Sequence, residues 1–299
     1  MDWKRMVIFF TTSVVLMLLF SLFEIKDFIQ LSRNLGFLGI TAIIFVSFLR
    51  PILGGIRCSF VYRPLGHISI TDASKGYILS AYGSIFLPST IGGDLLRIEH
   101  MKNCTGETRK IALSVAATER IFGFFTLLFL ALLISFFDDS TSKYNSTLIY
   151  VSLLILLIVS LSWLYLTKSK PDSLLYSTYI YIKGLSKKLS IFVIFILSLI
   201  FQCVSLSVPV IVAYIIADYQ TALYIALMTP VIAIFSTIPI TVGGIGIREG
   251  GYLGLGAVAG IDSEVSLLAG LALSVSIVVS GLPAIFFQNE IFLTKQETE

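Results

Sequence analysis

Long apolar runs separated by short polar breaks make up most of this chain. A helix that crosses a bilayer needs about 20 mostly apolar residues. Six stretches approach or exceed that length: residues 6–23, 37–53, 111–137, 147–166, 190–217 and 265–288. Two more apolar stretches, 76–93 and 221–244, each end in a proline followed by paired glycines. The pattern predicts an all-α polytopic membrane protein with six full spans and two re-entrant helical hairpins, one in each of two inverted halves. Full crossing by one or both of the interrupted stretches would give seven or eight spans instead. Re-entrance is favoured because irregular backbone at membrane depth is tolerated only when buried in protein or lining a cavity. The returning limbs would be 94–103 and 246–260, the second short for a crossing at about 1.5 Å per residue.

Composition agrees with that class. Of 299 residues, 56% are apolar and only 13% are charged, against about 25% charged in soluble domains. The mean hydropathy is +0.94. The reading is a single integral membrane domain over 1–299, with halves at about 1–145 and 168–299 joined by a span at about 147–167. The net charge of +3 gives no reason to expect a nucleic-acid partner. The run 6–23 follows Lys4 and Arg5 as a signal peptide would. It is longer than the usual apolar core of roughly 7–15 residues, however, and no small-x-small site follows it, so a retained first helix is expected.

The placement of cations suggests an orientation. Lys4 and Arg5, Arg57 and Arg63, the group Arg97, Lys102, Arg109 and Lys110, the lysines between 168 and 188, and Lys295 fall at alternate breaks. The other breaks carry Asp138, Asp139, Asp218 and a single lysine, Lys143. The positive-inside rule then puts both termini in the cytoplasm, at the cytoplasmic (plasma) membrane. In this reading the stretch 54–70 is a loop at the cytoplasmic interface. Cys58, Cys104 and Cys203 fit no metal spacing, and His67 and His100 belong to no zinc motif, so neither metal nor cofactor is expected.

The two interrupted stretches share one motif. Leu87, Pro88, Ser89, Thr90, Ile91, Gly92, Gly93 and Arg97 match Ile238, Pro239, Ile240, Thr241, Val242, Gly243, Gly244 and Arg248 at an offset of 151. Proline removes a backbone donor, and glycine permits left-handed or closely approaching backbone. A chain broken there exposes N–H groups carrying partial positive charge, which with an arginine nearby could hold a phosphate. Asp94 is expected to cap the returning limb; Ile245 stands at the matching offset in the second copy. Paired Gly/Pro-interrupted segments in matching halves point to a transport site between structural repeats. Arg97, Arg248, Thr90, Thr241, Gly92, Gly93, Gly243 and Gly244 are therefore candidate substrate-binding residues. So are Asp94, Glu119, Arg120 and Glu249, because an ionisable residue in a span marks a function or a buried partner. Arg97, Arg120 and Arg248 are the candidate partners of Glu119. Gln202, Ser205, Ser274, Ser276 and Ser280 read as polar contacts between helices.

The run Phe86 to Arg97, then Thr118-Glu119-Arg120, then Pro239 to Gly244 with Gly246-x-Arg248-Glu249-Gly250, resembles the flippase-like family typified by the lysylphosphatidylglycerol synthase transmembrane region. The resemblance extends roughly from the second span to the last. It implies a stand-alone member without the soluble synthase domain that loads the amino acid. It also implies transbilayer movement of an anionic lipid or lipid-linked head group, such as aminoacyl-phosphatidylglycerol or a polyprenyl-phosphate glycolipid. The implied partners are a membrane lipid substrate and cell-envelope biosynthesis enzymes. Two other readings stay open from the residues: a membrane-embedded transferase acting on a lipid-linked substrate, and a non-catalytic scaffold for envelope lipid assembly.

Overall fold

The computed structural model of the protein describes residues 29, 33–85, 87, 89–136, 174–188, 191–237 and 241–287. The expected spans over 6–23 and 147–166, Pro88 and Pro239 lie outside the described residues. All regular structure among the described residues is helical. In chain order the helices are α1 (Gly36–Tyr62), α2 (Ile70–Ser84), α3 (Ser89–Thr105), α4 (Arg109–Ser135), α5 (Leu174–Lys188), α6 (Ile191–Ser205), α7 (Ser207–Ile216), α8 (Tyr219–Phe235), α9 (Ile247–Ala259) and α10 (Ser263–Gly281). A 3-10 turn, Leu282–Phe286, extends α10. Four stretches are long and apolar enough to cross a membrane: α1, α4, α6 continued by α7, and α10 with its extension. The protein is a multi-pass membrane protein.

Helix α1 corrects one expectation. Its 27 residues run through Pro51, Gly54 and Gly55, so the interfacial loop expected over 54–70 shrinks to the segment after Tyr62. Proline costs a helix one hydrogen bond, but neighbouring helices make that tolerable in a membrane bundle. Arg57 and Arg97 are therefore buried inside the protein, not set in polar loops. Neither belongs among the loop cations that bear on orientation.

Several helix starts follow from short polar side chains. Ser69 accepts from the Asp72 N–H at 3.0 Å, and Thr108 accepts from that of Ile111 at 3.4 Å. Asp218, between α7 and α8, accepts from the Thr221 N–H at 2.7 Å. These oxygens satisfy donors that a first helical turn leaves unpaired. The amide hydrogen bond at Asp218 holds its carboxyl below the ordinary range.

Helices α2 and α3 form one antiparallel hairpin. His100 meets the Asp72 carbonyl near its open end, and Ser80 bonds Asp94 near its turn. Helices α8 and α9 form a second, with Tyr252 on Thr229 and Gly244 against Ser236 at its turn. Each repeated motif lies where its hairpin turns, the first running on into α3 from Ser89 and the second leading up to α9. The limbs have 15, 17, 17 and 13 residues, so each is about 20–25 Å long, against about 40 Å for α1. The turns touch: the Gly243 N–H donates to the Leu87 carbonyl at 3.2 Å.

Helix α1 shows how the hairpins are arranged. Gly39, near its start, packs on Ile215 at the end of α7, which leads into α8. Midway, Ser47 bonds Ser276 of α10 at 2.9 Å. Further on, Gly54 and Gly55 take Tyr77 and Ser74 of α2 against the α1 backbone. The open ends of the two hairpins therefore lie at opposite ends of α1, with their turns between. Helix α10 runs alongside, the most enclosed of the four long stretches, with 72% of its apolar window buried. Its Gly270 lies on Glu249 and Tyr252 of α9, and its Gly281 on the Ala81–Tyr82 backbone of α2.

Close approach at glycine is a testable property of this arrangement. A methyl group on Gly93 would collide with the Ser80 carbonyl oxygen, whereas one on Gly254 would meet open space. Overpacking of this kind costs about 1–3 kcal/mol. Thermal melting in detergent is expected to show Gly93→Ala clearly destabilised and Gly254→Ala equal to or above the wild type.

Candidate functional site

A carboxylate on α4 gathers three helices. Glu119 is fully buried, ten residues into the helix rather than at its end. One oxygen accepts from Arg97 Nη1 of α3 at 2.9 Å. The other accepts from the Tyr77 hydroxyl of α2 at 2.7 Å and from Arg57 Nε of α1 at 3.3 Å. Arg57 also donates to Tyr77 Oη at 2.7 Å and lies over the Phe201 ring, 4.4 Å from its centroid. The Arg97 guanidinium lies 4.6 Å from the Tyr77 ring centroid. A buried charge is costly unless it is paired and hydrogen-bonded, and Glu119 is both.

A second carboxylate sits next to this group. Asp94 accepts from Ser80 Oγ at 2.7 Å and from Arg120 Nε at 2.6 Å, and lies 3.5 Å from Arg97. Its expected role as a cap is corrected. Helix α3 begins at Ser89, so Asp94 is inside the helix, and its oxygens serve α2 and α4. Gly92 and Gly93 are likewise helical. Gly93 lets α2 approach α3 rather than forming the turn.

The second motif is built differently. Gly243, Gly244 and Gly246 all have positive φ, at 57°, 78° and 89°, a region glycine enters without penalty. Arg248 donates to the Gly243 carbonyl and, at 2.9 Å, to Ser274 Oγ of α10. Ser274 in turn donates to Glu249 at 2.5 Å, and the other Glu249 oxygen accepts from the Gly246 N–H at 2.5 Å. Glu249 thus caps its own helix and meets Arg248 only through Ser274. Thr241 is buried, with its hydroxyl unbonded. Thr90 lies in the first turn of α3.

These groups surround a cavity of about 1220 Å³. Among the described residues five arginines line it, Arg50, Arg57, Arg97, Arg120 and Arg248, against two carboxylates, Asp94 and Glu119. The remaining wall is largely apolar and aromatic, with Phe124, Phe125 and Phe129 of α4 and Phe195 and Phe201 of α6 among its residues. Arg97 and Arg248 of the two motifs therefore face one space. Glu249, Gly92, Gly93, Gly243, Gly244 and Thr241 are not among its lining residues.

Sequence reading missed Arg50, Arg57 and Tyr77. Arg50 and Arg57 are seven residues apart, two helical turns, and so share a face of α1. That spacing was the available signal, hidden by Pro51, Gly54 and Gly55, which read as a helix end.

The fold and cavity define a multi-pass helical membrane protein with a cationic interior site between two broken hairpins. Residues 5–282 match the family model described as the lysylphosphatidylglycerol synthase TM region, and the chain belongs to that family. Membership places it among membrane proteins of lipid and cell-envelope metabolism. No curated protein and no solved structure matches the chain.

Removing one partner of a buried ion pair costs about 3–5 kcal/mol, and losing a single hydrogen bond to a charged group costs about 1.5–3 kcal/mol. Melting of purified protein is expected to rank Glu119→Ala well below Tyr77→Phe, with both below wild type. Equal melting of Glu119→Ala and wild type would contradict the buried network.

Proposed function

We propose that the protein moves an anionic lipid head group between the leaflets of the membrane that holds it, the plasma membrane in the topology argued above. One observation carries this reading: a cavity of about 1220 Å³ that joins five arginines to an aromatic and aliphatic wall. A lipid has those two parts, a phosphate that guanidinium groups recognise and chains that seek apolar surroundings.

The hairpins supply the setting. Limbs of about 20–25 Å are shorter than a hydrocarbon core of about 30 Å. Their open ends lie at opposite ends of α1 and their turns meet, which supports two re-entrant hairpins related by inversion. Broken helices that meet at a buried site are a recurring transporter design, in which one repeat rocks against the other. Arg97 and Arg248, one from each motif, both line that site. Enzymes that make or use the lipid are the natural partners in the envelope.

A leaflet assay in proteoliposomes tests the reading. Fluorescent phosphatidylglycerol, its aminoacyl form and a polyprenyl phosphate are each scored for transbilayer movement. Movement of at least one lipid is expected for the wild type, reduced at least tenfold in Arg248→Ala. No movement of any lipid by folded, inserted protein, or equal movement by the variant, would overturn it.

A further inference from the structure

The charges in the cavity are not equally engaged. Arg57 and Arg97 share Glu119, at 3.3 and 2.9 Å, and Arg120 pairs with Asp94 at 2.5 Å. Both lining carboxylates are thus occupied by arginine. Glu249, just behind the wall, is occupied by the Gly246 N–H and Ser274. Arg248 is held by neutral oxygens, the Gly243 carbonyl and Ser274 Oγ. Arg50 Nη1 is buried with no hydrogen-bond partner, as are Arg57 Nη1 and Arg97 Nε, but Arg57 and Arg97 each touch a carboxylate through another nitrogen. Among the described residues no carboxylate ion-pairs with Arg50 or with Arg248.

From this imbalance we infer that Arg50 and Arg248 are the anion-binding pair of the cavity, and that their ligand is a lipid phosphate bearing no amine. This rests on the lipid-translocation reading and narrows its substrate. Neither guanidinium has a carboxylate in direct contact among the described residues, Arg248 reaching Glu249 only through Ser274. The two repel each other across one cavity, and a bound phosphate removes both the repulsion and the unpaired Arg50 donor. An ammonium head group would meet the opposite situation. Among the described residues every carboxylate at the cavity already serves an arginine or a helix end, so a lysyl head group would bring a further cation to a site whose described acceptors of opposite charge are already engaged. Such like-charge burial is disfavoured. The inference also divides the motif arginines. Arg97 is fixed by Glu119 and Asp94 and holds the helices in place, whereas Arg248 engages the ligand.

Lipid-induced thermal stabilisation and native mass spectrometry of the detergent-solubilised full chain test this without requiring transport. The probes are phosphatidylglycerol, a polyprenyl phosphate, lysyl-phosphatidylglycerol, phosphatidylcholine and inorganic phosphate. Phosphatidylglycerol or the polyprenyl phosphate is expected to bind at least tenfold more tightly than the lysyl and choline lipids, and the stronger of the two identifies the source of the phosphate. Arg50→Gln and Arg248→Gln are each expected to weaken that binding about ten- to a hundred-fold, the loss for one charged hydrogen bond. Arg50→Lys, which retains the charge, is expected to recover part of it. Inorganic phosphate alone should bind weakly, because the apolar wall contributes nothing to it. Lysyl-phosphatidylglycerol bound as tightly as phosphatidylglycerol, or binding unchanged in both glutamine variants while the protein melts normally, would overturn the inference. Selective binding of an amine-free lipid phosphate without transbilayer movement would keep the inference and remove the translocation reading. Movement of a lysyl lipid that ignores Arg50→Gln would do the reverse.

Discussion

Burial of charge is the constraint from which the rest of the interior follows. Glu119 lies where water does not reach, so its carboxylate must be met from several directions at once. Arg57, Tyr77 and Arg97 meet it, and each comes from a different helix. The network therefore fixes α1, α2, α3 and α4 against one another, and it works only if the helices come close. Gly54, Gly55 and Gly93 provide that closeness. Small residues and buried ions thus depend on each other: the glycines bring the backbones together, and the ions specify which register they adopt. The Tyr77 ring adds a face against which the Arg97 guanidinium rests.

The second hairpin reaches a similar position by other means. Where the first motif relies on ion pairs, the second relies on backbone with positive φ at three glycines and on a relay through Ser274. The motif copies agree in sequence at Thr, Gly-Gly and Arg, yet their arginines sit in different electrostatic settings. Arg97 touches two carboxylates directly, whereas Arg248 reaches its carboxylate, Glu249, through a serine. The cavity that both line is therefore electrostatically asymmetric, a property that neither motif has alone.

Much of this was readable in the sequence. The apolar runs 37–53, 111–137, 190–217 and 265–288 overlap the four long helical stretches, because hydropathy over a span is a sum that single residues rarely upset. The paired motifs marked the neighbourhood of the two turns, and in the second copy glycines with positive φ form the turn itself. What escaped was decided by tertiary context. Pro51, Gly54 and Gly55 read locally as a stop, whereas in the bundle they let α1 continue beneath α2. Arg57 was consequently assigned to a loop. Asp94 read as a cap because the turn was placed by its glycines, but the helix starts at Ser89, and an acidic side chain one turn inside is free to serve neighbouring helices. The division of labour among five arginines depends on which carboxylate each one reaches, and one-dimensional spacing does not carry that information.

The contact between the hairpin turns joins one backbone to another: the Gly243 N–H bonds the Leu87 carbonyl. The two sides of that bond carry unequal obligations. A carbonyl acceptor is supplied by any residue, so position 87 is chemically open. Position 243 combines a φ of 57° with a site where a β-carbon would run into the Ser84 carbonyl oxygen, so it is closed to everything but glycine. The position that matches it in the first copy, Gly92, is helical, so the two copies use their glycines differently: the second for a left-handed turn, the first for the close approach of two helices at Gly93.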